Sequence, residues 1–440
     1  MPAFRSLLRA VALTALVTLS LSAQEVSERP QAASGARPRA EAVGVSAARL
    51  QRLHQGMQGF VDRQEVSGIV TLVAREGRVI DLHAVGFQDL EKKVAMKADA
   101  IFRIASMTKP ITSVAIMMLY EEGKLLLTDP VFKFIPAFKS SRVLEGADAN
   151  AAPVAARRAI TIRDLLSHRS GITYGFLGGG PVGAGYRKNG VADGLTSTTM
   201  TLEEGINKLA AEPLIAQPGA AFNYGLSTDV LGRVVEVASG QPYDVFLRER
   251  IFKPLKMADT DFVVPESKWS RFVTMYSPDG KGGIRPMTDP EAFGNTLMSP
   301  LASYKEGKTY FSGGAGLAST ASDYARFGIM LVNGGTLDGV RLLSPKTIEL
   351  MTASQTSDLQ HPLAVVGAGK DFGLGVQVVT DLGATQSLGS EGMYGWLGIY
   401  GTIFWVDPKE KLVSIMMVQR FPGSTVAASF LPLVYQSLVR

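Results

Sequence analysis

Apolar positions recur at helical spacing in some stretches of this chain and gather into short β-branched runs in others. Leu50, Leu53, Met57, Phe60 and Val61 return at helical spacing, which predicts an amphipathic helix over residues 46–63. Two apolar, β-branched runs follow, Ile69–Ala74 and Arg78–Val85, and the Glu76-Gly77 pair between them predicts a hairpin. The far end mirrors this arrangement: Thr402–Val406 and Leu412–Gln419 flank the polar Asp407–Lys411, and Thr425–Leu438 returns to helical periodicity. Between the ends the chain reads as helix and loop, with helices expected over 110–122, 161–168, 202–211, 227–239, 243–251, 321–333 and 345–352. Strands at both ends imply an antiparallel sheet assembled from distant segments, flanked by helices and carrying an inserted, mainly helical lobe at about 110–300. The expected fold class is α+β, since the alternation of a doubly wound sheet is missing.

The first 45 residues stand outside this pattern. Arg5 and Arg9 precede the apolar run Ala10–Leu19 and the small residues Ser20, Ser22 and Ala23, which is the layout of a secretory signal peptide over residues 1–23. The run is short of the roughly 20 residues a bilayer span needs. Residues 24–45 show no apolar periodicity and read as a flexible linker, which leaves one domain over residues 46–440. Export to the periplasm or the medium follows as an expectation, with no stable membrane span after signal cleavage. The glycine-rich stretch 178–185 offers few side chains to pack and reads as a surface loop, or as a flap beside a cleft.

Composition narrows the chemistry. The 440 residues include no Cys and four His, which excludes a thiol nucleophile, disulfides and cysteine-ligated metals and leaves little for a histidine-rich metal site. No cofactor is expected. The 45 Lys and Arg exceed the 40 Asp and Glu only slightly and form no basic block, so no nucleic-acid partner is expected. Covalent chemistry falls to Ser, Thr, Lys, Tyr or a carboxylate.

Ser106-Met107-Thr108-Lys109 leads into the apolar helix Ile111–Tyr120. At about 3.6 residues per turn, Ser106 and Lys109 share one helix face, so the amine can approach the hydroxyl. A serine becomes a nucleophile when a base takes its proton, and a buried lysine can be that base. The helix start adds backbone N–H groups for a developing oxyanion. Tyr224, at a turn just before the helix from Ser227, is a candidate proton relay. Tyr394–Gly401 is expected to open the strand Thr402–Val406, with Gly395 and Gly398 letting that edge approach a ligand closely.

Ser106–Lys109, Tyr224 and Trp396-Leu397-Gly398, in that order, resemble the three site motifs of the serine β-lactamase and penicillin-binding-protein superfamily. The stretches Glu122–Leu125, Asp129–Val131, Leu165–Gly171 and Ser312–Leu317 extend the likeness to its class C-like branch. The resemblance implies that Ser106 forms an acyl-enzyme and that Lys109 and Tyr224 together form the base. It also implies that the backbone N–H groups of Ser106 and Ile399 form the oxyanion hole, with Trp396, Gly395 and Gly398 binding substrate. Lactamases and peptidases of this fold carry a cation and a hydroxyl in the third motif, where a substrate carboxylate needs them. Trp396 and Leu397 supply neither, and Leu226 stands where those enzymes have an amide. These departures resemble the family VIII carboxylesterases and imply a small-molecule ester or acyl substrate. β-Lactamase, D-amino-acid peptidase and acyltransferase activities are the alternatives within the fold, and a silent cell-wall-fragment binder is the alternative outside catalysis. A histidine triad lacks its Gly-x-Ser-x-Gly turn, and His168 reads as structural. Oligomeric state is left open.

Overall fold

The strand-forming runs of the two chain ends meet in a single sheet in a computed structural model, which describes residues 40–146, 151–177, 180–360 and 365–440. The expected signal peptide lies outside these residues. The strands are β1 (Gly68–Arg75), β2 (Arg78–Asp89), β3 (Val94–Ala95), β4 (Lys370–Phe372), β5 (Gln377–Val379), β6 (Tyr394–Leu397), β7 (Ile403–Asp407) and β8 (Leu412–Met417). They pair antiparallel in the order β4-β5-β6-β7-β8-β1-β2-β3. The hairpin joining β1 and β2 turns through Glu76 and Gly77, at φ of +52° and +75°. Two successive left-handed residues match the twist of the flanking strands, and glycine takes one of them without strain.

The central strands read as unbroken apolar runs because both faces are buried. On β1, Val70, Leu72 and Ala74 enter the main core, and Ile69 and Val73 enter a second core on the opposite face. On β8, Val413, Ile415 and Met417 point one way and Leu412 and Met416 the other. Helix α1 (Ala47–Asp62) covers the second face through Leu50, Leu53, Met57 and Phe60, each contributing about 1.5–3 kcal/mol of transfer free energy when fully buried. Its start is capped by Ser46, whose hydroxyl accepts from Arg49 N–H. Against the main core lie α2 (Thr108–Glu121), which is buried all round from Thr108 to Leu119, and α3 (Ser227–Ser239), closed by Gly240 at φ +72°. Two further helices complete the layers, α4 (Ala321–Val332) on the main-core face and α5 (Val426–Tyr435) beside α1. This is the α+β architecture expected, with the large antiparallel sheet of the β-lactamase fold.

Several local expectations are corrected. Residues 40–45, read as the end of a linker, are packed: Val45 bridges Leu438, and the carbonyls of Val43 and Gly44 accept from the buried Arg75 guanidinium. Gly180–Lys188, which overlaps the expected loop over 178–185, is a helix. Its Val182 and Tyr186 lie four apart on one face and are both buried, and Pro181 suits a first helical turn, so packing overrides the cost of the glycines. The helix from Tyr243 ends at Leu247 and continues as a π-helical turn over Arg248–Phe252. Two small hairpins over residues 276–298 went unpredicted, because strands of three residues are too short to show alternation.

Candidate active site

Ser106 lies in a 3-10 turn, Ala105–Met107, immediately before α2. Ala105 is held at φ +42°, an uncommon conformation for a residue with a Cβ, at the position next to the candidate nucleophile. Neighbouring segments hold the turn in place. Ile104 N–H donates to Leu317 O, and Leu317 N–H donates to Thr108 Oγ1 at 3.1 Å. The segment Ser312–Leu317 is thereby laid along the nucleophile turn, with Gly313 against the carbonyl of Thr228, where a Cβ would come within 2.4 Å of that oxygen.

Lys109, one turn into the buried helix, has no exposed surface. Its Nζ donates to Ser106 Oγ at 3.2 Å, to Tyr174 OH at 2.9 Å and to Gly314 O at 2.9 Å. These three contacts hold the amine beside the serine hydroxyl. The Ser106–Lys109 pairing expected from spacing is therefore formed. The pairing of Lys109 with a phenol differs from expectation. Tyr224 presents its ring face to Nζ, 4.6 Å from the centroid, while its hydroxyl accepts from Trp396 Nε1 at 3.1 Å. Tyr174 is the residue that sequence reasoning missed. It follows the Leu165–Gly171 stretch by three positions, and asking which phenol lies just past that stretch would have been the only signal.

Strand β6 brings the third motif. Tyr394–Leu397 is a strand of its own inside the sheet, not the opening of the next one. Tyr394 and Gly395 pair with β5, whereas Trp396 and Leu397 extend beyond it and pair only with Phe404 and Ile403 of β7. That extension is a local edge directed at Ser106. Gly395 lies so close to β7 that a Cβ would come within 2.2 Å of Phe404 O, and at Gly398 one would come within 2.4 Å of Ile104 O. The turn after β6 is tied by Gly398 N–H to Thr402 O and Gly401 N–H to Gly398 O, which sets Ile399 on the cavity wall beside Ser106.

The resulting cavity is about 210 Å³ and contains Ser106, Tyr174, Tyr224 and Trp396. Phe176, Leu177, Leu195, Ala315, Val365, Leu397 and Ile399 line the rest, so among the described residues none of its lining side chains is charged. His168 is buried 4.7 Å from the Tyr224 ring centroid; burial, aided by the Lys109 charge, holds its imidazole well below the ordinary value. A neutral histidine kept from protonation is structural here, as expected. Burial pushes the Tyr174 phenol well above its usual range, with the Asp229 carboxylate adding to the shift. Tyr174 thus stays protonated in the resting site. Among the described residues, no group of His, Asp or Glu is arranged to hold a metal ion.

Sheet, nucleophile turn and buried lysine together define the class: an enzyme of the β-lactamase/transpeptidase-like superfamily of serine hydrolases. The beta-lactamase family profile matches residues 53–432, and the chain belongs to that family. A relative from Mycobacterium tuberculosis described as an uncharacterized protein is 36% identical over 83% of this chain and 88% of its own length. Esterase EstB of Burkholderia gladioli is 33% identical over 82% of this chain and 87% of its own. The solved structure of EstCE1, described as a hydrolase with promiscuous acyltransferase activity, superposes with a TM-score of 0.77 at 29% identity, covering 88% of this chain and 99% of that one. These esterase neighbours put the chain near the family VIII carboxylesterases.

Proposed function

We propose that this protein hydrolyses uncharged carboxylic esters through an acyl-Ser106 intermediate. The observation that carries the reading is the cavity: an apolar space of about 210 Å³ around a serine bonded to a buried lysine, with no charged side chain lining it among the described residues. The esterase relatives support it. Lys109 takes the Ser106 proton while Oγ attacks the ester carbonyl, and the oxygen left negative is met by the backbone N–H groups of Ser106 and Ile399. Tyr224 accepts from Trp396, which leaves its own O–H free to donate, and it hands a proton to the departing alcohol. Water then attacks the acyl-enzyme by the same route in reverse. β-Lactams enter the same acyl-serine chemistry, so weak lactam hydrolysis belongs to the reading as a side activity. The N-terminal pattern adds export as part of the proposal.

The test is a side-by-side assay of short-chain p-nitrophenyl esters, a cephalosporin and a D-Ala-D-Ala peptide. Esters are expected to be cleaved far faster. A lactam or peptide preference overturns the reading, as does unchanged fluorophosphonate labelling of Ser106→Ala.

A further inference from the structure

Asp229 is a buried acid close to Lys109 that the site chemistry leaves unused. It stands in the first turn of α3 with no exposed surface, against Gly314. Its Oδ1 accepts from Ser312 Oγ at 2.5 Å and from Tyr310 OH at 3.3 Å. Its Oδ2 accepts no well-formed hydrogen bond among the described residues and faces Gly314. A buried carboxylate oxygen without a well-aligned donor is costly, so its place in the fold calls for a reason. Holding Ser312 and Tyr310 is not that reason, because a neutral amide oxygen would accept the same two bonds.

The geometry around Gly314 supplies one. A Cβ at Gly314 would lie 2.5 Å from Asp229 Oδ2 and 3.0 Å from Tyr174 OH, so glycine is what lets these two oxygens flank the same backbone atom. That phenol and the Gly314 carbonyl are two of the three acceptors on Lys109 Nζ. Asp229 is therefore coupled to the lysine through one phenol and one peptide, without touching the substrate cavity. The charged and titratable groups that act on it or feel its charge are Lys109, Tyr174, Tyr243, Lys308 and Tyr310. Lys109 is the one of these that gains charge during the reaction.

We propose that ionised Asp229 is a positioning residue that supplies the counter-charge for the ammonium formed at Lys109 when Ser106 is acylated. In that step the Ser106 Oγ–H proton moves to Lys109 Nζ, the Oγ–C bond forms, and the carbonyl electron pair moves onto oxygen. Positive charge appears at a buried site walled off from solvent. A carboxylate already in place stabilises it without reorganisation, as the acid of a catalytic triad stabilises its imidazolium. Burial raises the Asp229 carboxyl to about 6, against the Ser312 hydrogen bond, the Gly314 N–H and any positive charge at Lys109, which all favour ionisation. Activity should therefore rise as pH passes upward through that value.

The inference rests on the ester-hydrolase reading, so the wild-type enzyme must first turn over p-nitrophenyl acetate and be labelled by a fluorophosphonate. Failure there defeats that reading, whereas a failure confined to the Asp229 variant defeats this inference alone. Asp229→Asn keeps the shape and the Ser312 bond while removing the charge. It is expected to lower kcat by 10- to 100-fold with KM nearly unchanged, and to abolish the acid limb near pH 6. Ser312→Ala, which removes the bond that favours ionisation, is expected to move that limb to higher pH. A limb owned by Lys308, which burial brings down to about 7, would persist in Asp229→Asn. The proposal is overturned if folded Asp229→Asn keeps wild-type kcat, or if it loses activity with the pH profile unaltered in shape, which marks a purely structural role.

Discussion

Two tyrosines meet Lys109 in different ways, and the difference assigns them separate work. Tyr174 offers its hydroxyl to Nζ at 2.9 Å, whereas Tyr224 offers its ring and keeps its hydroxyl for Trp396. Removing the first hydroxyl deletes a hydrogen bond to an amine that becomes charged, a contact worth about 1.5–3 kcal/mol. Tyr174→Phe should then cost on the order of 10- to 100-fold in kcat for every ester, since it acts on the base. Tyr224→Phe should depend on the substrate. The loss is expected to be large for alkyl esters, whose alkoxide needs a proton to leave, and small for p-nitrophenyl esters, whose phenolate does not. Equal losses across leaving groups would remove Tyr224 from the proton path. Of these residues, Ser106 and Lys109 were legible from spacing, and Tyr224 and Trp396 from the resemblance that their motifs carry. Tyr174 was not, because Ser170-Gly171-Ile172-Thr173-Tyr174 carries no period and no spacing to Lys109 that a local rule can read.

At the scale of elements, the site is a junction of close backbone approaches. The turn after β6 lies against Ile104, two residues before the nucleophile, because Gly398 has no side chain. A methyl there would come within 2.3 Å of Thr402 Oγ1 and 2.4 Å of Ile104 O, so something must move. Gly398→Ala should displace Ile399 from Ser106 and lower kcat/KM on the order of 100-fold, the scale expected of an ångström-sized misplacement, with the protein still folded. Wild-type kinetics in that variant would show that the turn does not set the oxyanion geometry. The elements themselves were largely predictable where periodicity is strong: residues 227–239 and 345–352 form the helices expected of them. Where glycine dilutes the pattern, as over Gly180–Lys188, two buried side chains decide the helix and the sequence reads as loop.

For the whole molecule, the site carries a stability cost that pH can reveal. Asp229 is raised from 3.8 to about 6 on folding, so its penalty is fully present above pH 6 and disappears below pH 4. A shift of that size corresponds to about 3 kcal/mol. His168 works in the opposite sense: held neutral in the fold, it costs stability as acidification protonates the unfolded chain below about pH 6.5. The net profile mixes both, so the informative quantity is the Tm of Asp229→Asn minus that of wild type, measured from pH 8 to pH 4. That difference should fall steadily through the interval, whatever its starting value. A flat difference would mean that folding does not raise the Asp229 carboxyl above its unfolded value. The same exchange of stability for a poised charge is common at catalytic centres. The α+β class, the strands at both ends and the serine–lysine pair were all determined by residue order, because a short β-branched apolar run and the helical turn act over a few neighbouring positions. Which phenol meets the lysine, how β6 reaches past β5, and where the counter-charge sits were decided only by tertiary structure. Those contacts join residues 109, 174, 229, 314 and 396, and only packing around one core brings such distant positions within hydrogen-bonding reach.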